Sequence, residues 1–447
     1  MLVSFSVSNF RSFGEEQTLN MIASNKLTEH PNHLHPIDKT GKSILRAAVI
    51  YGANAAGKSN LVKAMSFAQN LIGGDERRLR VNDAFRFRSD LMTSPMSFEF
   101  RFLIQDRVFI YGFDVSGRGI KSEWLSVLEG SDEVLVFERM EDGSATLGEV
   151  LNETFPDDES IAQTLKLLAQ LKLTRHQLLL NRVSTLPEET QGATLKSVTK
   201  WLTQDLIILN PDYRATDILD RLSDDDYLRK LAEAFLEKVG TGISGLDLVE
   251  EELPLEDLPG SNLKRYFPGR FRSDGLDDIR PKPDDPTRAI ARRLLAKHPV
   301  GTISTLLPFS EESDGTKQLL HLMPLLAAGN LSTKVFVIDE LDRSLHPLIC
   351  WEFIRLFSET ATGARKQLIV TTHEAHLLNQ ELLRRDEYWF VEKGPDQQSR
   401  LVPLSEYKIR NDLQIEKSYL QGRFGAIPVI GSMAEIENLL DDGKKGM

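Results

Sequence analysis

The sequence predicts an α/β fold, and three observations indicate it. The apolar run 46–51 leads into a glycine-rich loop, and a helix is predicted from Asn60 to about Leu71. A second apolar run, 334–338, ends in two acidic residues, as a strand of a parallel sheet does at a functional edge. Three segments with alternating or β-branched and aromatic residues predict an antiparallel β-subdomain packed on that sheet: 96–104, 108–115 and 134–139.

The glycine-rich loop at 52–59 fits the phosphate-binding pattern G-x-x-x-x-G-K-[ST], with the strand before it and the helix after it that the pattern requires. Backbone N–H groups and the helix N-terminus would hold the β-phosphate. A loop that only caps a helix is the alternative, which the strand–loop–helix context disfavours. The predicted nucleotide-binding residues of the loop are Gly52, Asn54, Ala55, Ala56, Gly57, Lys58, Ser59 and Asn60.

Lys58 is predicted to reach the β- and γ-phosphates, and the Ser59 hydroxyl to ligate Mg²⁺. Asp339, at the end of the second apolar run, would hold the same Mg²⁺ through water. Glu340 would orient and deprotonate the attacking water. A strand that merely ends in a charged turn has the same pattern, so this prediction depends on the pairing with the phosphate loop upstream.

Three further segments follow in a fixed order. Ser313-x-Gly315 opens a predicted helix before the acidic strand, the segment 341–347 follows Glu340, and the apolar strand 367–372 ends at His373. This order resembles that of ABC-type ATPases of the SMC/RecF/OLD-like branch. The resemblance implies an ABC-type P-loop NTPase head with a compact helical insertion. It also implies that Ser313 and Gly315 form the nucleotide-binding signature and that Glu340, His373 and Lys58 are catalytic.

The resemblance extends to the turn at 9–13, Asn-Phe-Arg-Ser-Phe, which in that branch lies near the nucleotide. Arg11 is therefore predicted to contact the nucleotide, although a surface arginine explains it equally well. Ser313 is also explained as a helix N-cap, and the two roles are compatible. Because one chain carries one phosphate loop and one signature, the resemblance implies a head-to-head dimer with a second copy, or a higher oligomer.

Charge and composition restrict the remaining possibilities. The net charge of −12 disfavours a general DNA groove, although local DNA contact stays open. Two basic stretches occur, one at 76–80 with Arg86 and Arg88 and the other at 264–293. Acids interrupt the second stretch, which favours a solvated face. No signal peptide and no apolar run of membrane-spanning length occurs, and the single cysteine excludes a cysteine zinc cluster. We therefore expect a cytoplasmic protein without membrane contact, whose cofactors are ATP and Mg²⁺.

The motifs predict three regions. Residues 1–150 would form an N-terminal ATPase lobe with the phosphate loop and the β-subdomain. Residues 151–300 would form the helical insertion, with helices at 161–171, 195–208 and 227–236, and a loop or linker at 255–287 that is rich in Pro, Gly and Asp. Residues 301–447 would form a C-terminal ATPase lobe with the signature, the acidic strand, the switch histidine and an apolar tail.

Within this group the chain resembles the AAA15/AAA21 ATPases of bacterial anti-phage systems, on the segments 9–13, 52–59, 341–347 and 422–428. The resemblance implies an ATP-hydrolysing, Mg²⁺-dependent sensor that controls a separate effector, a Toprim-like or HNH nuclease. The sequence after His373 is too short for a Toprim domain of roughly 100 residues. Two alternatives stay open. One is a RecF-like DNA-repair ATPase that acts directly on DNA. The other is a scaffold that binds ATP and hardly hydrolyses it.

Overall fold

A computed structural model describes residues 1–37, 40–80, 83–158, 160–170, 173–254, 271–273, 276–327, 333–360, 365–407 and 415–426. In chain order its strands are β1 (Leu2–Ser8), β2 (Gln17–Asn20), β3 (Leu34–Ile37), β4 (Lys42–Leu45), β5 (Ala47–Gly52), β6 (Met96–Ile104), β7 (Arg107–Ser116), β8 (Gly119–Glu129), β9 (Asp132–Met140), β10 (Ala145–Leu147), β11 (Leu206–Leu209), β12 (Gly245–Pro254), β13 (Phe271–Ser273), β14 (Asp277–Lys282), β15 (Asp285–Val300), β16 (Ile303–Pro308), β17 (Val335–Ile338), β18 (Gln367–Thr371), β19 (Tyr388–Lys393) and β20 (Ser399–Pro403).

The helices are α1 (Lys58–Ile72), α2 (Leu151–Thr154), α3 (Ile161–Gln170), α4 (Leu179–Val183), α5 (Ala193–Lys200), α6 (Ile218–Asp224), α7 (Asp226–Lys238), α8 (Asp314–Ala327), α9 (Pro347–Thr360) and α10 (Ile415–Leu420). No helix in these described ranges is long and apolar enough to cross a membrane.

A six-stranded sheet lies at the centre, in the order β11-β17-β18-β5-β19-β20. Its first five strands are parallel, and β20 runs antiparallel to β19. Strand β5 is buried throughout, and its alternate side chains belong to two different cores: Ile50 to one, Val49 and Tyr51 to the other. A parallel strand covered on both faces has an unbroken apolar sequence, which is the pattern found at 47–51.

A seven-stranded antiparallel sheet, β10-β9-β8-β7-β6-β1-β2, packs beside the central sheet. It contains all three predicted segments, so the predicted α/β class with an antiparallel β-subdomain is confirmed. The buried side chain of Gln367 on β18 connects the two sheets: it accepts from the Leu2 N–H at 2.8 Å and donates to the carbonyls of Leu2 and Leu45. The first strand is thereby held against the sheet that carries the phosphate loop.

The predicted helices at 161–171 and 227–236 are present as α3 and α7, but the helix predicted at 195–208 ends early. After α5 and a π-helical turn, residues 206–209 form β11, which pairs in parallel with β17. A run of four apolar residues has no periodicity that separates a strand from a helix. Because β11 enters the central sheet, α2 to α5 pack in the core shared with the antiparallel sheet, whereas α6 and α7 pack in the opposite core.

A third sheet contains β12 to β16, in the order β12-β15-β14-β13 with β16 also paired to β15. The predicted loop at 255–287 is therefore wrong for β13, for β14 and for the start of β15, and residues 255–270, 274 and 275 lie outside the described residues. Opposite charges face each other across this pair: Asp277 lies opposite Arg293, and Asp278 opposite Arg292. Cross-strand ion pairs stabilise strands whose composition resembles a loop.

The described part of the tail packs on its own lobe. Phe424 and Tyr419 are buried, and each stacks on Phe390 of β19 at ring-centroid distances of 5.1 Å and 5.8 Å. The rest of the predicted apolar tail, from residue 427 onward, lies outside the described residues. The aromatic residues of the tail thus belong to the core around β19.

Candidate functional site

The phosphate loop connects β5 to the N-terminus of α1. Positive φ angles at Ala55 (63°) and Gly57 (122°) turn the backbone. The N–H groups of Gly57, Lys58 and Ser59 make no hydrogen bond within the described part of the chain, and no side chain caps α1. Three backbone donors at a helix N-terminus are what a phosphate group requires.

Two glycines of the loop are required by close neighbours. A Cβ atom on Gly52 would lie 2.7 Å from the Val391 carbonyl oxygen on β19. A Cβ atom on Gly57 would lie 2.1 Å from Ser399 Oγ. Any larger residue would therefore displace backbone or buried side chains at these two points.

Lys58 is buried, although it carries an ammonium group. Its Nζ donates to the Gly52 carbonyl at 2.7 Å and lies 3.4 Å from His373 Nδ1. Burial lowers the pKa of Lys58 to about 8, against the opposing effect of nearby carboxylates, of which Asp342 has the largest. A buried cation with one strong partner is poised to pair with an anion that enters the loop.

The metal candidates Ser59 and Asp339 meet across the central sheet. Ser59 Oγ donates to Asp339 Oδ1 at 3.2 Å, and Thr371 Oγ1 on β18 donates to the same oxygen at 2.6 Å. Asp339 is 4% exposed and directly follows β17. The Ser59 hydroxyl and the Asp339 carboxylate offer oxygen ligands, which Mg²⁺ prefers, so these two residues fit this metal ion. Thr371 was not assigned from the sequence.

Glu340 occupies a left-handed backbone conformation, with φ of 56°. Its N–H donates to Thr371 Oγ1 at 2.8 Å, and its half-buried carboxylate makes no hydrogen bond or ion pair within the described residues. A non-glycine residue in this region carries backbone strain, which is tolerated at functional sites. The structure therefore places an unpaired carboxylate directly after the metal candidate.

His373 connects the phosphate loop to the segment after Glu340. Its N–H donates to Asp342 Oδ2 at 3.1 Å, while Nδ1 faces Lys58 Nζ. Burial and the Lys58 ammonium lower the pKa of His373, so a neutral ring that accepts from Lys58 is favoured near pH 7. The structure thus brings together four predicted residues: Lys58, Ser59, Asp339 and His373.

Ser313 and Gly315 lie at the start of α8 and contact a different segment. Ser313 Oγ accepts from the Thr316 N–H at 3.2 Å, which is the N-cap role. A Cβ atom on Gly315 would lie 2.4 Å from the Ser344 carbonyl oxygen, so the signature packs on the 341–347 segment of the same chain. Neither residue forms a hydrogen bond with the phosphate loop in the described ranges.

Arg11 is held by Asp83 rather than left free. Its guanidinium pairs with the Asp83 carboxylate at 3.1 Å, and its N–H donates to the Asp83 carbonyl at 2.6 Å. The side chain remains 37% exposed. Asn60, predicted as part of the loop, instead donates to Ser12 Oγ at 2.8 Å and joins the N-terminal turn to α1. Asn54 is exposed and Ala56 is buried.

Sequence reasoning missed Asn210 because the preceding residues were assigned to a helix. The Asp339 N–H donates to the Leu209 carbonyl at 2.9 Å, and the exposed Asn210 follows at the end of β11. The carboxyl ends of parallel strands share one edge, so the Asn210 amide lies at the same edge as Asp339. The apolar run 206–209 before a polar Asn-Pro pair was the available signal.

The segment after Asn210 joins the signature helix to the 341–347 segment. Asp212 pairs with Arg343 at 2.8 Å, and Arg214 donates to Gln318 of α8 at 2.9 Å. One turn further, the Ala215 N–H donates to Nδ1 of the buried His321 at 3.1 Å. Movement of this segment would therefore act on both elements.

Acid is expected to weaken this contact through His321. Burial, assisted by Arg214, lowers the pKa of His321 to about 4, below its ordinary value of 6.5. Between these two values the unfolded chain binds a proton that the folded chain does not, so stability is lost as pH falls from 6.5 towards 4. At pH 5 this loss is about 2 kcal/mol. His321→Asn keeps a hydrogen-bond acceptor near the position of Nδ1 but does not titrate. Its free energy of unfolding should therefore fall by about 2 kcal/mol less than that of wild type between pH 7 and pH 5.

Urea midpoints at pH 7 and pH 5 measure this difference. His346→Asn is the matched control, because exposed His346 also accepts a backbone N–H, from Leu348, through Nδ1. Equal losses on acidification for wild type and His321→Asn would contradict the assignment.

The comparisons with known proteins concern the same region. The family model described as "AAA domain, putative AbiEii toxin, Type IV TA system" matches residues 47–158 and 196–379, which is more than half of the chain. These two stretches include the phosphate loop, the signature, Asp339 and His373. No curated protein matches the sequence.

Among solved structures, the SMC head domain from Thermotoga maritima is similar, with 14% identity, a TM-score of 0.41, and coverage of 90% of this chain and 98% of that one. An SmcHead bound to the C-winged helix domain of ScpA has 14% identity and a TM-score of 0.40, and covers 90% and 97%. These scores are too low for the likeness to indicate a function.

Proposed function

The chain belongs to the family described as "AAA domain, putative AbiEii toxin, Type IV TA system", and on that premise we propose that it binds ATP and hydrolyses it with Mg²⁺. The observation that carries this proposal is the contact of Ser59 Oγ with Asp339 Oδ1 at 3.2 Å. Two candidate oxygen ligands from distant parts of the sequence meet beside the buried Lys58 and beside N–H donors that have no partner among the described residues. A loop that only capped a helix would have no reason to face a buried acid.

Each candidate residue has its own role in the proposed binding and hydrolysis of ATP. The N–H groups of 57–59 and the Lys58 ammonium bind the phosphates, and Lys58 leaves the Gly52 carbonyl to do so. Ser59 and Asp339 would hold Mg²⁺, which neutralises charge on the β- and γ-phosphates. Glu340 accepts the proton of the attacking water, and its unpaired carboxylate is suited to that role. The backbone N–H of His373 is held by Asp342, and its neutral ring orients the Lys58 ammonium beside the γ-phosphate.

The active unit is proposed to be a head-to-head dimer of two copies. The signature packs on the 341–347 segment and makes no hydrogen bond with its own phosphate loop in the described ranges, which supports a site completed by the partner's signature. A two-fold pair would hold two nucleotides. The arrangement also explains why one chain carries each motif once.

We further propose that this ATPase controls a separate effector, a Toprim-like or HNH nuclease, in a cytoplasmic anti-phage system. The family description, which names a toxin of a type IV toxin–antitoxin system, supports a defence role. Direct action on DNA has less support, because arginines of both basic stretches are paired. Arg88 pairs with Glu15 and Asp90, and Arg292 pairs with Asp220 and Asp278. Neutralised arginines supply little affinity for phosphate backbones.

The tail offers a physical connection between the nucleotide and an effector. Tyr419 of α10 packs against Tyr51 with ring centroids 5.5 Å apart, and Tyr51 directly precedes Gly52 of the phosphate loop. Leu420, the next residue, is 59% exposed. A partner that contacts Leu420 would therefore touch α10, the helix that packs through Tyr419 on the strand leading into the loop. The helical insertion exposes a second candidate, Tyr227, at 64%.

The expected result is a change of about 5- to 150-fold in affinity for the proposed effector nuclease when ATP is added, equal to a coupling of about 1–3 kcal/mol. With ATP added, Glu340→Gln should keep the effector affinity of the ATP-bound state, because it binds ATP without hydrolysing it. Lys58→Ala should show the effector affinity of the nucleotide-free protein even with ATP present, because it does not bind the nucleotide. Leu420→Asp and Tyr227→Asp identify the docking surface without cutting the chain, since truncation would expose Phe390. Titration by calorimetry measures all of these. Equal affinities with and without ATP would eliminate the switch.

A further inference from the structure

The C-terminal half of the phosphate loop contacts the hairpin formed by β19 and β20, which lies more than 300 residues further along the sequence. Ser399 begins β20, which pairs with β19, and β19 pairs with β5, the strand that leads into the loop. Ser399 is 1% exposed. Its N–H donates to the Ser12 carbonyl at 2.7 Å, and its hydroxyl donates to the Ala56 carbonyl. Ser12 and Ser399 both lie outside the two stretches that match the family model.

The hydroxyls of Ser12 and Ser399 belong to one connected chain of hydrogen bonds. Asn60 Nδ2 donates to Ser12 Oγ at 2.8 Å, and Ser12 Oγ lies 2.7 Å from Ser399 Oγ. A carbonyl oxygen only accepts and each hydroxyl has one proton. Ser399 Oγ has both the Ala56 carbonyl and Ser12 Oγ as acceptors, so its single proton is shared between them. Ser399 is the member that contacts both the phosphate loop and Ser12, so its loss leaves the buried Ala56 carbonyl without this donor.

The geometry gives this chain a consequence for the nucleotide. Ala56 and Gly57 are adjacent, and the peptide group between them contains both the Ala56 carbonyl and the Gly57 N–H. Because the hydroxyl of Ser399 holds the carbonyl, the N–H on the opposite side of the same plane is fixed in direction. That N–H is one of the three donors without a partner in the described residues. The hydroxyls also occupy the space where a side chain at 57 would lie.

We propose that Ser399, acting with Ser12, is a positioning residue that holds the Ala56–Gly57 peptide in the orientation that binds phosphate. The inference rests on the proposed function, since it concerns the same nucleotide site. Ser399 itself touches no substrate. Its contribution is to nucleotide affinity rather than to the hydrolysis step, because it orients a ground-state contact that persists in the transition state.

Ser399→Ala is expected to weaken binding of ATP and of ADP by about 10-fold, because the Ala56–Gly57 peptide loses the hydrogen bond that holds it in the phosphate-binding orientation. The KM for ATP should rise similarly, with kcat changed less than about 3-fold. Ser12→Ala breaks the same chain at a half-buried position and should show the same direction. The double variant should be little worse than Ser399→Ala alone, because one chain is broken once. Ser405→Ala, an exposed serine on the same lobe, is the matched control.

Equilibrium dissociation constants for ADP and ATP, with melting temperatures measured without nucleotide, test the assignment. A lower melting temperature with unchanged dissociation constants for both serine variants would overturn it, since the contact would then only stabilise the fold. Additive losses of nucleotide affinity in the double variant would contradict the proposal that Ser12 and Ser399 act through one chain of hydrogen bonds. If wild type bound neither nucleotide, the proposed function itself would fail, and that outcome is distinct from equal binding by wild type and variants.

Discussion

Glu340→Gln is expected to bind ATP as wild type does and to lose turnover by about 10²- to 10⁴-fold, the usual contribution of a general base. The amide keeps the shape of the carboxyl group but cannot accept the proton of the attacking water. The Glu340 N–H bond to Thr371 and the left-handed backbone are unaffected, because Gln tolerates that conformation as Glu does. The fold and the metal ligands should therefore persist.

Lys58→Ala should give the complementary result, with nucleotide affinity lost before any hydrolysis can occur. The substitution removes a buried ammonium whose nearest partners are the Gly52 carbonyl and the His373 ring. Glu374→Gln is the matched control for both variants. Glu374 adjoins His373, and its side chain accepts from the His376 N–H, a role that Gln retains. Phosphate release and nucleotide binding, measured separately, distinguish the two defects. Wild-type hydrolysis by Glu340→Gln would show that the base is assigned wrongly.

The sequence predicted the centre of this site because its motifs lie at strand ends. Asp339 follows an apolar strand, and the loop at 52–59 follows another; in a parallel sheet such ends share an edge. Thus Ser59 and Asp339 could be expected to meet without knowledge of the chain between them. The observed sheet places β18 between β17 and β5, so Thr371 reaches Asp339 as well. Hydroxyls of this kind carry no motif and were not predicted.

The parts that the sequence did not predict share a physical cause, which is dependence on distant partners. The run 206–209 is too short for its periodicity to be informative, and only pairing with β17 makes it a strand. The charges of β14 suggested a loop because their partners on β15 were not evident. Arg11 was equally compatible with two roles, and only the fold brings Asp83 to it. Ser399 contacts the phosphate loop across more than 300 residues of sequence.

The second large effect concerns assembly. If the signature acts on the partner's nucleotide, Ser313→Asp should abolish hydrolysis while ATP still binds to each chain. The substitution keeps the helix cap, because Asp accepts from the Thr316 N–H as Ser does. It also places a negative charge opposite the γ-phosphate. Ser313→Asn is the matched control, since it keeps the cap and adds similar bulk without the charge. Asn should retain far more activity than Asp.

Mixing two inactive chains tests whether the site is shared. A dimer of one Lys58→Ala chain and one Ser313→Asp chain contains one site with an intact loop and an intact signature, and a second site with neither. In an equal mixture half of the dimers are of this mixed kind, so about a quarter of the wild-type rate should return if sites act independently. A site completed within one chain would recover nothing, because each chain carries its own defect. The packing of Gly315 on Ser344, together with the lack of a signature–loop hydrogen bond in the described ranges, favours the shared site.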